Sequence, residues 1–396
     1  MRRLRVAILA DYPEEGWPSM DVTALMVRTH LESGHAEEVE VIPVCPPYRR
    51  RAARLAPGPA AATARNVDRV LNRHVDYPRH VRSLARRDPF DVYHLIDHSY
   101  AQLVHDLPAG RSVVTCHDLD TFRCLLRPDL EPRPAWFRAL ARRTMAGLAR
   151  AAAVSCVSVA TRSALVEHAL VPADRLTLNY PGIHPEFAAA PPPEAVALTV
   201  GLLGPAVPGA TDILHVGSNI PRKRIDVLLD VFAGVRRAVP SARLIKVGGG
   251  LTPAQADRAA RLGVADAIRV VPFLGDRRAL AAIYDRAALV LQPSEAEGFG
   301  LPLAEAMARG AQLLASDIPV LREVAGDAAE YRPVGDVVGW VEAATAMLDD
   351  RARRGDAWRG RRERGLARSA LFRWEAHASR LVAIYRDLAA RAGAPR

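Results

Sequence analysis

The chain has 396 residues, of which 49% are hydrophobic, and its formal net charge is +10. This composition excludes a disordered chain, and the length predicts two or three domains of roughly 150 residues each. No apolar run approaches the roughly 18 residues of a membrane span, which argues against a transmembrane protein. The positive charge favours an anionic partner such as a phosphorylated substrate, an acidic membrane surface or nucleic acid. Arginine usage in a GC-rich genome would explain the same charge.

The cysteines predict a reduced protein. There are four of them (Cys45, Cys116, Cys124 and Cys156), with neither a Cys-x-x-Cys pair nor any metal-ligand spacing. We therefore expect a cytoplasmic protein without a metal site. The basic N-terminus is followed by an apolar run too short for the core of a signal peptide, which favours a strand there.

The first predicted strand, Val6 to Ala10, is followed by a loop that contains Gly16. A helix from Ser19 to Ser33, with Ser19 as its N-cap, and a second strand from Val39 to Val44 complete a strand–helix–strand unit. Such a start predicts a parallel, doubly wound sheet, whose ligands bind at the carboxyl ends of the strands. Gly16 lies at such an end.

The stretch from Tyr48 to Arg87 is rich in arginine and contains few acids. One interpretation is a basic patch for a lipid-linked or otherwise anionic acceptor at a membrane surface. The alternative is a pair of ordinary solvated helices. A helix-turn-helix fits poorly, because no compact second helix carries base-reading side chains, and we expect no nucleic-acid partner.

Two more strands are predicted in the first half, Asp91 to Ile96 and Ser112 to Cys116. The second runs into His117 and Asp118, which places an imidazole and a carboxylate at the carboxyl end of a strand. Chemistry in open α/β sheets is located there, so His117 is a candidate catalytic residue. A histidine with an ordinary structural role at a strand end is the alternative.

An alanine–proline run from Ala188 to Pro193 is the predicted domain boundary, after which the α/β pattern restarts. The strand Ile213 to Gly217 leads into a loop that carries Arg222 and Lys223. Another strand, Ile268 to Val271, leads into Phe273 and Leu274.

The most informative stretch runs from Glu297 to Glu305 and contains Gly298, Phe299, Gly300, Leu301 and Pro302. An apolar strand precedes it and a helix follows, so unpaired backbone N–H groups and a positive dipole end face the strand terminus. That arrangement binds anions. Two carboxylates converge on the same small volume, which would suit an anion with hydroxyl groups, such as a nucleotide-sugar. A capped helix with two solvated acids is the alternative.

These residues resemble the family-four (group 1) retaining glycosyltransferases with the GT-B fold. The pair of glutamates around Gly-Phe-Gly-Leu-Pro carries the resemblance, with Arg222 and Lys223 after a strand and Phe372 to Glu375 near the end. The resemblance implies an α/β protein with two Rossmann-like domains facing each other across a cleft. They are an acceptor domain, residues 1–190, and a donor domain, residues 191–370. The last helix, residues 371–396, would cross back to the first domain.

The resemblance also implies roles for individual residues. Glu305 would hold the ribose hydroxyls, and the amides of Gly300 and Leu301, together with Arg222 and Lys223, the diphosphate. The backbone of Phe273 and Leu274 would hold the base, with Gly16 also on the donor side. Glu297 would bind the sugar hydroxyls, and His117 would face the sugar from the first domain.

The implied reaction is transfer of a glucose- or mannose-type hexose from a UDP- or GDP-sugar to an acceptor hydroxyl, with retention and without a metal or a bound cofactor. Glycan, glycolipid or glycosylated-metabolite synthesis would use it, with an acceptor that is unknown and could be lipid-linked, and with peripheral membrane contact. Two alternatives stay open: a sugar-nucleotide epimerase or phosphorylase-like enzyme of the same fold, and a non-catalytic protein that binds nucleotide-sugars.

Overall fold

A computed structural model describes residues 2–54, 60–205 and 209–393. The chain forms two compact units. The first comprises the residues up to Gly182 together with those from Trp374 onward, and the second is Ile183–Arg373. The boundary between the two units, after Gly182, thus lies before the alanine–proline run. That run belongs to the second unit.

The first unit alternates strands and helices in the expected order. Its strands are β1 (Leu4–Leu9), β2 (Val39–Val44), β3 (Val92–Leu95), β4 (Ser112–Cys116), β5 (Ala153–Cys156) and β6 (Leu176–Leu178). Its helices are α1 (Pro18–Gly34), α2 (Ala61–Leu71), α3 (Tyr77–Arg87), α4 (Arg123–Leu126), α5 (Ala135–Arg150) and α6 (Val159–Glu167), and a π-helical turn (Asn72–Asp76) joins α2 to α3.

All pairings of described strands in this sheet are parallel, in the order β2-β1-β3-β4-β5-β6. The strand order reverses between β1 and β3, so the topological switch point of the first unit lies between their carboxyl ends. Apolar residues cover both faces of the sheet, which is why the strands read as continuous hydrophobic runs.

The second unit is built in the same way. Its strands are β7 (Thr211–Val216), β8 (Ala242–Val247), β9 (Ile268–Val271), β10 (Leu289–Gln292), β11 (Leu313–Ser316) and β12 (Ala329–Arg332). Its helices are α7 (Pro193–Leu203), α8 (Ile225–Ala238), α9 (Pro253–Arg261), α10 (Arg277–Arg286), α11 (Leu301–Ala308), α12 (Pro319–Ala325), α13 (Val337–Ala352) and α14 (Asp356–Ser369).

The second sheet is also parallel, in the order β12-β11-β10-β7-β8-β9, with its switch point between β7 and β10. Each unit is therefore a doubly wound, Rossmann-like domain, and the predicted fold class is confirmed. The last helix, α15 (Trp374–Gly393), belongs to the first unit. Its buried residues, among them Leu381 and Tyr385, join the core that contains Val6 and Ile8 of β1.

The start of α1 differs from the prediction. Trp17 is the N-cap residue and Pro18 occupies the first turn, so Ser19 lies inside the helix and is not its cap. The carbonyl of Ser19 instead accepts a hydrogen bond from the Thr23 hydroxyl at 2.9 Å. Proline suits the first helical position because its missing N–H would have no partner there, and this preference outweighed the capping preference of serine.

Candidate functional site

The candidate site of the second unit lies at its switch point, where the loops that follow β7 and β10 meet. The Glu295 N–H donates to the carbonyl of Arg222 at 2.8 Å, which ties the two loops together. One loop brings Arg222 and Lys223, and the other brings Glu297. The structure therefore brings together three of the predicted site residues.

Glu297 is the most highly coordinated carboxylate of this site. Its Oε1 atom accepts hydrogen bonds from Lys223 Nζ at 2.6 Å, Gln292 Nε2 at 2.6 Å and Ser294 Oγ at 2.7 Å. Its Oε2 atom lies 3.4 Å from a guanidinium nitrogen of Arg222. Oε1 is thus crowded with donors, whereas Oε2 keeps capacity for a further hydrogen bond.

The charge of this cluster is set by its two cations. Burial raises the pKa of the Glu297 carboxyl, but Lys223 and Arg222 outweigh that effect and lower the pKa to about 2. Glu297 is therefore ionised at neutral pH. Two cations against one carboxylate leave a net positive charge at the switch point, which suits an anionic ligand.

A helix begins beside this cluster. Gly300, the N-cap residue of α11, has φ 95°, and no side chain caps the helix. A side chain at this position would be strained by the left-handed φ, and its Cβ atom would lie 2.9 Å from Leu321 Cδ2. Leu301 and Pro302 begin the first turn, and the unpaired backbone N–H groups of this turn, to which Pro302 contributes none, form the positive end of the helix dipole. The predicted strand, glycine turn and helix are all present.

Glu305 lies one turn into α11, in a different environment from Glu297. Tyr284 Oη donates to its Oε2 atom at 3.0 Å, and a guanidinium nitrogen of Arg277 lies 4.0 Å from Oε1. Burial raises the pKa of Glu305 to about 7, and Arg277 and Tyr284 offset this only in part. The fold therefore lowers the pKa of Glu297 and raises the pKa of Glu305.

Arg277 is a residue that sequence reasoning missed. Its guanidinium lies 6.0 Å from the ring centroid of Phe273, whose residue surface is 53% exposed, and it also faces Glu305. Leu274 lies half-buried beside Phe273. The predicted base-binding loop and ribose-binding acid are thus joined through Arg277. Its position in the first turn of α10 is visible in the sequence, but its direction toward Glu305 is not.

Lys246 was also missed. Its side chain is fully buried, and its ammonium donates to the carbonyls of Gly217 at 3.2 Å and Gly249 at 2.9 Å. Burial lowers the pKa of Lys246 to about 8. It therefore cross-links the loops that follow β7 and β8, next to the cationic turn.

The other two predicted residues, Gly16 and His117, lie in the first unit. Gly16 ends a short turn after β1 and donates its N–H to the carbonyl of Pro13 at 3.0 Å. His117 follows β4, as predicted, and its Nε2–H donates to the carbonyl of Ile96 at 2.9 Å. Burial lowers the pKa of His117, so its ring is neutral at pH 7 and Nδ1 is the acceptor nitrogen. Their roles toward a ligand stay predictions.

Two family models match the chain. "Glycosyltransferase Family 4" matches residues 23–187, and "Glycosyl transferases group 1" matches residues 210–350. Together they cover a large part of both units, including the whole Glu297–Glu305 motif. The chain belongs to the family-four, group 1 glycosyltransferases. The resemblance seen in the sequence is therefore confirmed.

Curated proteins with known names align with parts of this chain. D-inositol 3-phosphate glycosyltransferase of Segniliparus rotundus is 34% identical over 185 residues, which are 45% of this chain and 40% of that protein. O-antigen chain mannosyltransferase B of Escherichia coli is 27% identical over 285 residues, 70% of this chain and 71% of that protein. The alignment with the first relative thus spans well under half of that relative's length.

Solved structures share this fold over nearly all of the chain. Anabaena HepE, solved in complex with UDP and glucose, has a TM-score of 0.72 at 15% identity, and the match covers 97% of this chain and 100% of HepE. At that identity the similarity shows the fold. Within the described residues, every helix is too short or too polar to cross a membrane.

Proposed function

We propose that this glycosyltransferase-family protein transfers a hexose of the glucose or mannose type from a UDP- or GDP-sugar to an acceptor hydroxyl, with retained anomeric configuration. One observation carries the proposal: the ionised Glu297, held by Lys223 and Arg222 beside the start of α11. It combines an anion-binding surface with an acceptor for hydroxyl hydrogen atoms. A sugar diphosphate presents both groups.

The cations would stabilise the nucleoside diphosphate as it leaves. Negative charge grows on its phosphate oxygens as the glycosidic bond breaks, so Lys223, Arg222 and the amides of Gly300 and Leu301 would stabilise the transition state more than the bound donor. These groups supply the positive charge that the step needs, which is the basis for proposing a reaction without a metal or a bound cofactor.

Glu297 fits a binding role better than nucleophilic attack. Its Oε1 atom already accepts three hydrogen bonds, and a carboxyl with a pKa of about 2 is a weak nucleophile. The Oε2 atom is available for a sugar hydroxyl. Retention would then follow from attack by the acceptor on the face that the leaving group vacates, without a covalent intermediate on the protein.

The remaining predicted site residues would each bind a different part of the donor. Glu305 would accept the ribose hydroxyls, and the backbone of Phe273 and Leu274 would contact the base, with Arg277 next to both. We place Gly16 and the neutral imidazole of His117 on the sugar side. The HepE structure contains UDP and glucose, and one relative is named a mannosyltransferase, which supports both hexose types as candidates.

A thermal-shift screen across UDP-, GDP- and ADP-sugars tests the donor. A ligand at a hundredfold excess over its dissociation constant stabilises the folded state by roughly 2.7 kcal/mol, and we expect this for one nucleotide class. Lys223→Ala should abolish the shift, whereas Lys223→Arg should keep part of it. The absence of a shift with every sugar nucleotide would overturn the proposal.

An acceptor panel then separates the remaining classes of function. We expect UDP or GDP to be released only when an acceptor is present. From an α-linked donor, we expect the α-anomer of the product. An epimerised sugar nucleotide formed in water alone would indicate an epimerase. Donor binding without turnover by any acceptor would indicate a non-catalytic binding protein.

The first unit, which we propose as the acceptor domain, supports a second proposal. It would contact an anionic membrane peripherally, and that membrane would present a lipid-linked acceptor to a cytoplasmic enzyme. In the described part of the predicted basic stretch, which excludes residues 55–59, some arginines are neutralised: Arg51 pairs with Asp76, and Arg82 with Asp106. Exposed arginines remain on α3, where Arg79, Arg86 and Arg87 line a shallow groove together with Arg82 and Ser83.

A further inference from the structure

We propose that Asp11 and Asp97 share one proton at the switch point of the first unit, and that this carboxylic acid–carboxylate pair positions His117. The positioning role rests on the proposed transferase function. The shared proton does not, and it is tested separately.

The strand register brings the two side chains together. Leu9 of β1 pairs with Leu95 of β3, and the Ile96 N–H donates to the carbonyl of Leu9 at 3.1 Å. Asp11 and Asp97 each stand two residues beyond that pair, so they follow the adjacent carboxyl ends of β1 and β3. Adjacent strands are about 4.8 Å apart, and Asp97 acts on the Asp11 carboxyl through its charge and through a side-chain hydrogen bond, both of which raise the pKa of Asp11.

The carboxyl oxygens of Asp11 are buried and lack a donor among the described residues. The residue is 5% exposed. An ionised carboxylate in such a place costs several kcal/mol. A proton on Asp11 removes the charge and turns one oxygen into a donor, for which a carboxylate of Asp97 is the available acceptor.

The charged groups around the pair agree with a single proton. Burial and the charge of Asp97 raise the pKa of Asp11, and Arg73, the cation that faces it, offsets this only in part. Glu15 lies on the same side and raises the pKa further. Burial also acts on Asp97, but His98 and Ser99 outweigh it and lower the pKa of that carboxyl. Asp11 is therefore the acid and Asp97 the carboxylate.

The ionised Asp97 organises the loop after β3. It accepts the Ser99 N–H at 2.9 Å and a hydrogen bond from the Ser99 hydroxyl, and its Oδ1 atom lies 3.1 Å from His98 Nδ1. The same Nδ1 atom of His98 lies 3.3 Å from the backbone nitrogen of His117, so His98 contacts both Asp97 and the residue after β4. A second ionised carboxylate at Asp11 would repel Asp97 and disturb these contacts.

His117 lies directly against this loop. Its ring is 6.3 Å from the ring of His98, and its Nε2–H donates to the carbonyl of Ile96, the residue before Asp97. Any shift of the loop therefore moves the hydrogen bond that fixes the tautomer and orientation of His117. Asp11 and Asp97 are positioning residues, since they act on the candidate catalytic imidazole through Ile96 and His98.

Infrared spectroscopy of the purified full-length protein tests the shared proton. At pH 7, the difference spectrum between the wild type and Asp11→Asn should show loss of a C=O stretching band of a protonated carboxyl. The matched control is Asp68→Asn in the same unit. Asp68 is buried, accepts three backbone N–H hydrogen bonds and has a lowered pKa, so its replacement should remove a carboxylate band. No lost C=O band in Asp11→Asn overturns the proposal.

Transfer kinetics test the positioning role. Asparagine at position 11 is neutral and can still donate to Asp97, so Asp11→Asn should retain more activity than Asp11→Leu or Asp97→Asn. We expect the kcat of Asp97→Asn to lie about tenfold below that of Asp11→Asn, with KM for the donor little changed. Equal losses in Asp11→Asn and Asp97→Asn would overturn this role. If no transfer occurs at all, the proposed function fails while the infrared result still stands.

Discussion

The two glutamates of the proposed donor site have pKa values that are shifted in opposite directions. Glu297 is an ionised carboxylate that satisfies two partly buried cations, and removal of one partner of such a cluster leaves the other charges uncompensated. The stability of the second unit therefore depends on a residue that the proposed function also uses.

Replacing Glu297 by glutamine should lower the free energy of unfolding by about 3 kcal/mol, because Lys223 then remains buried without its carboxylate. Urea denaturation at pH 7 measures this. Glu295→Gln is the matched control: Glu295 is two residues away, and its side chain is 34% exposed and pairs with Arg224 at 3.6 Å. That change should cost less than about 1 kcal/mol. Equal losses would show that Glu297 is not the charge-compensating group.

Glu305 should make the stability of the fold decrease as the pH rises, because its pKa is raised where that of Glu297 is lowered. The pKa of Glu305 rises from its usual value of 4.5 to about 7 in the folded protein, so the folded state binds the proton more tightly than the unfolded state. Ionisation of Glu305 in the folded state therefore costs stability, and that cost develops as the pH rises from about 4.5 to about 7.

Glu305→Gln removes this titration while it keeps an oxygen that accepts from Tyr284. Relative to the wild type, the variant should gain roughly 3 kcal/mol of stability between pH 4.5 and pH 8. Chemical denaturation of both proteins at several pH values measures the difference. A difference that does not change with pH would show that Glu305 titrates normally.

At the scale of elements, the close packing of α8 against α13 rests on a glycine. A Cβ atom on Gly234 would lie 2.3 Å from Val341 Cγ2, whereas a Cβ atom on Gly201 in α7 would meet nothing within 4 Å. Both glycines are helical, so replacement by alanine improves helix propensity equally, by up to about 1 kcal/mol. Only the packing differs between them.

Gly234→Ala should therefore lower the melting temperature, since the overlap costs about 1–3 kcal/mol and forces the two helices apart. Gly201→Ala should leave the melting temperature unchanged or raise it. Differential scanning fluorimetry of the two variants measures the contrast. An equal rise in both would mean that α8 and α13 do not approach as closely as the structure shows.

The elements differ in how well the sequence predicts them. The strand, glycine turn and helix around Gly300 are correctly predicted because proline, glycine and an apolar run each mark a local boundary. Helix α7 and strand β12 were not predicted. Helix α7 begins at the last of three consecutive prolines, and it packs against α10, for example through the Thr199 hydroxyl, which donates to the carbonyl of Ala279 at 3.2 Å. Such a tertiary contact leaves no local signal.

The candidate site shows the same division. The residue types and their places after strands were readable, which is why Lys223 and Glu297 were both selected. Their mutual hydrogen bond depends on the order of β7 and β10 in the sheet, which brings together residues that are far apart in the chain. Arg277 and Lys246 were missed because only the folded loops show what their side chains face.

At the scale of the whole molecule, part of the net charge of +10 is concentrated on one exposed surface. Exposed arginines on α3 of the first unit form a basic surface, and each basic residue near an anionic bilayer contributes about 1 kcal/mol to binding. The effect is electrostatic, so salt should screen it.

We expect the wild type to sediment with phosphatidylserine-containing vesicles at low salt and to be released at high salt. Arg79→Gln combined with Arg86→Gln removes two charges of this surface and should weaken partition by about 30-fold, because every 1.4 kcal/mol is a factor of ten. Arg278→Gln with Arg353→Gln changes the net charge equally, at exposed positions in the second unit, and should affect binding far less. If both pairs weaken sedimentation alike, net charge and not the α3 surface is responsible; if the wild type does not sediment, membrane contact through this surface is wrong.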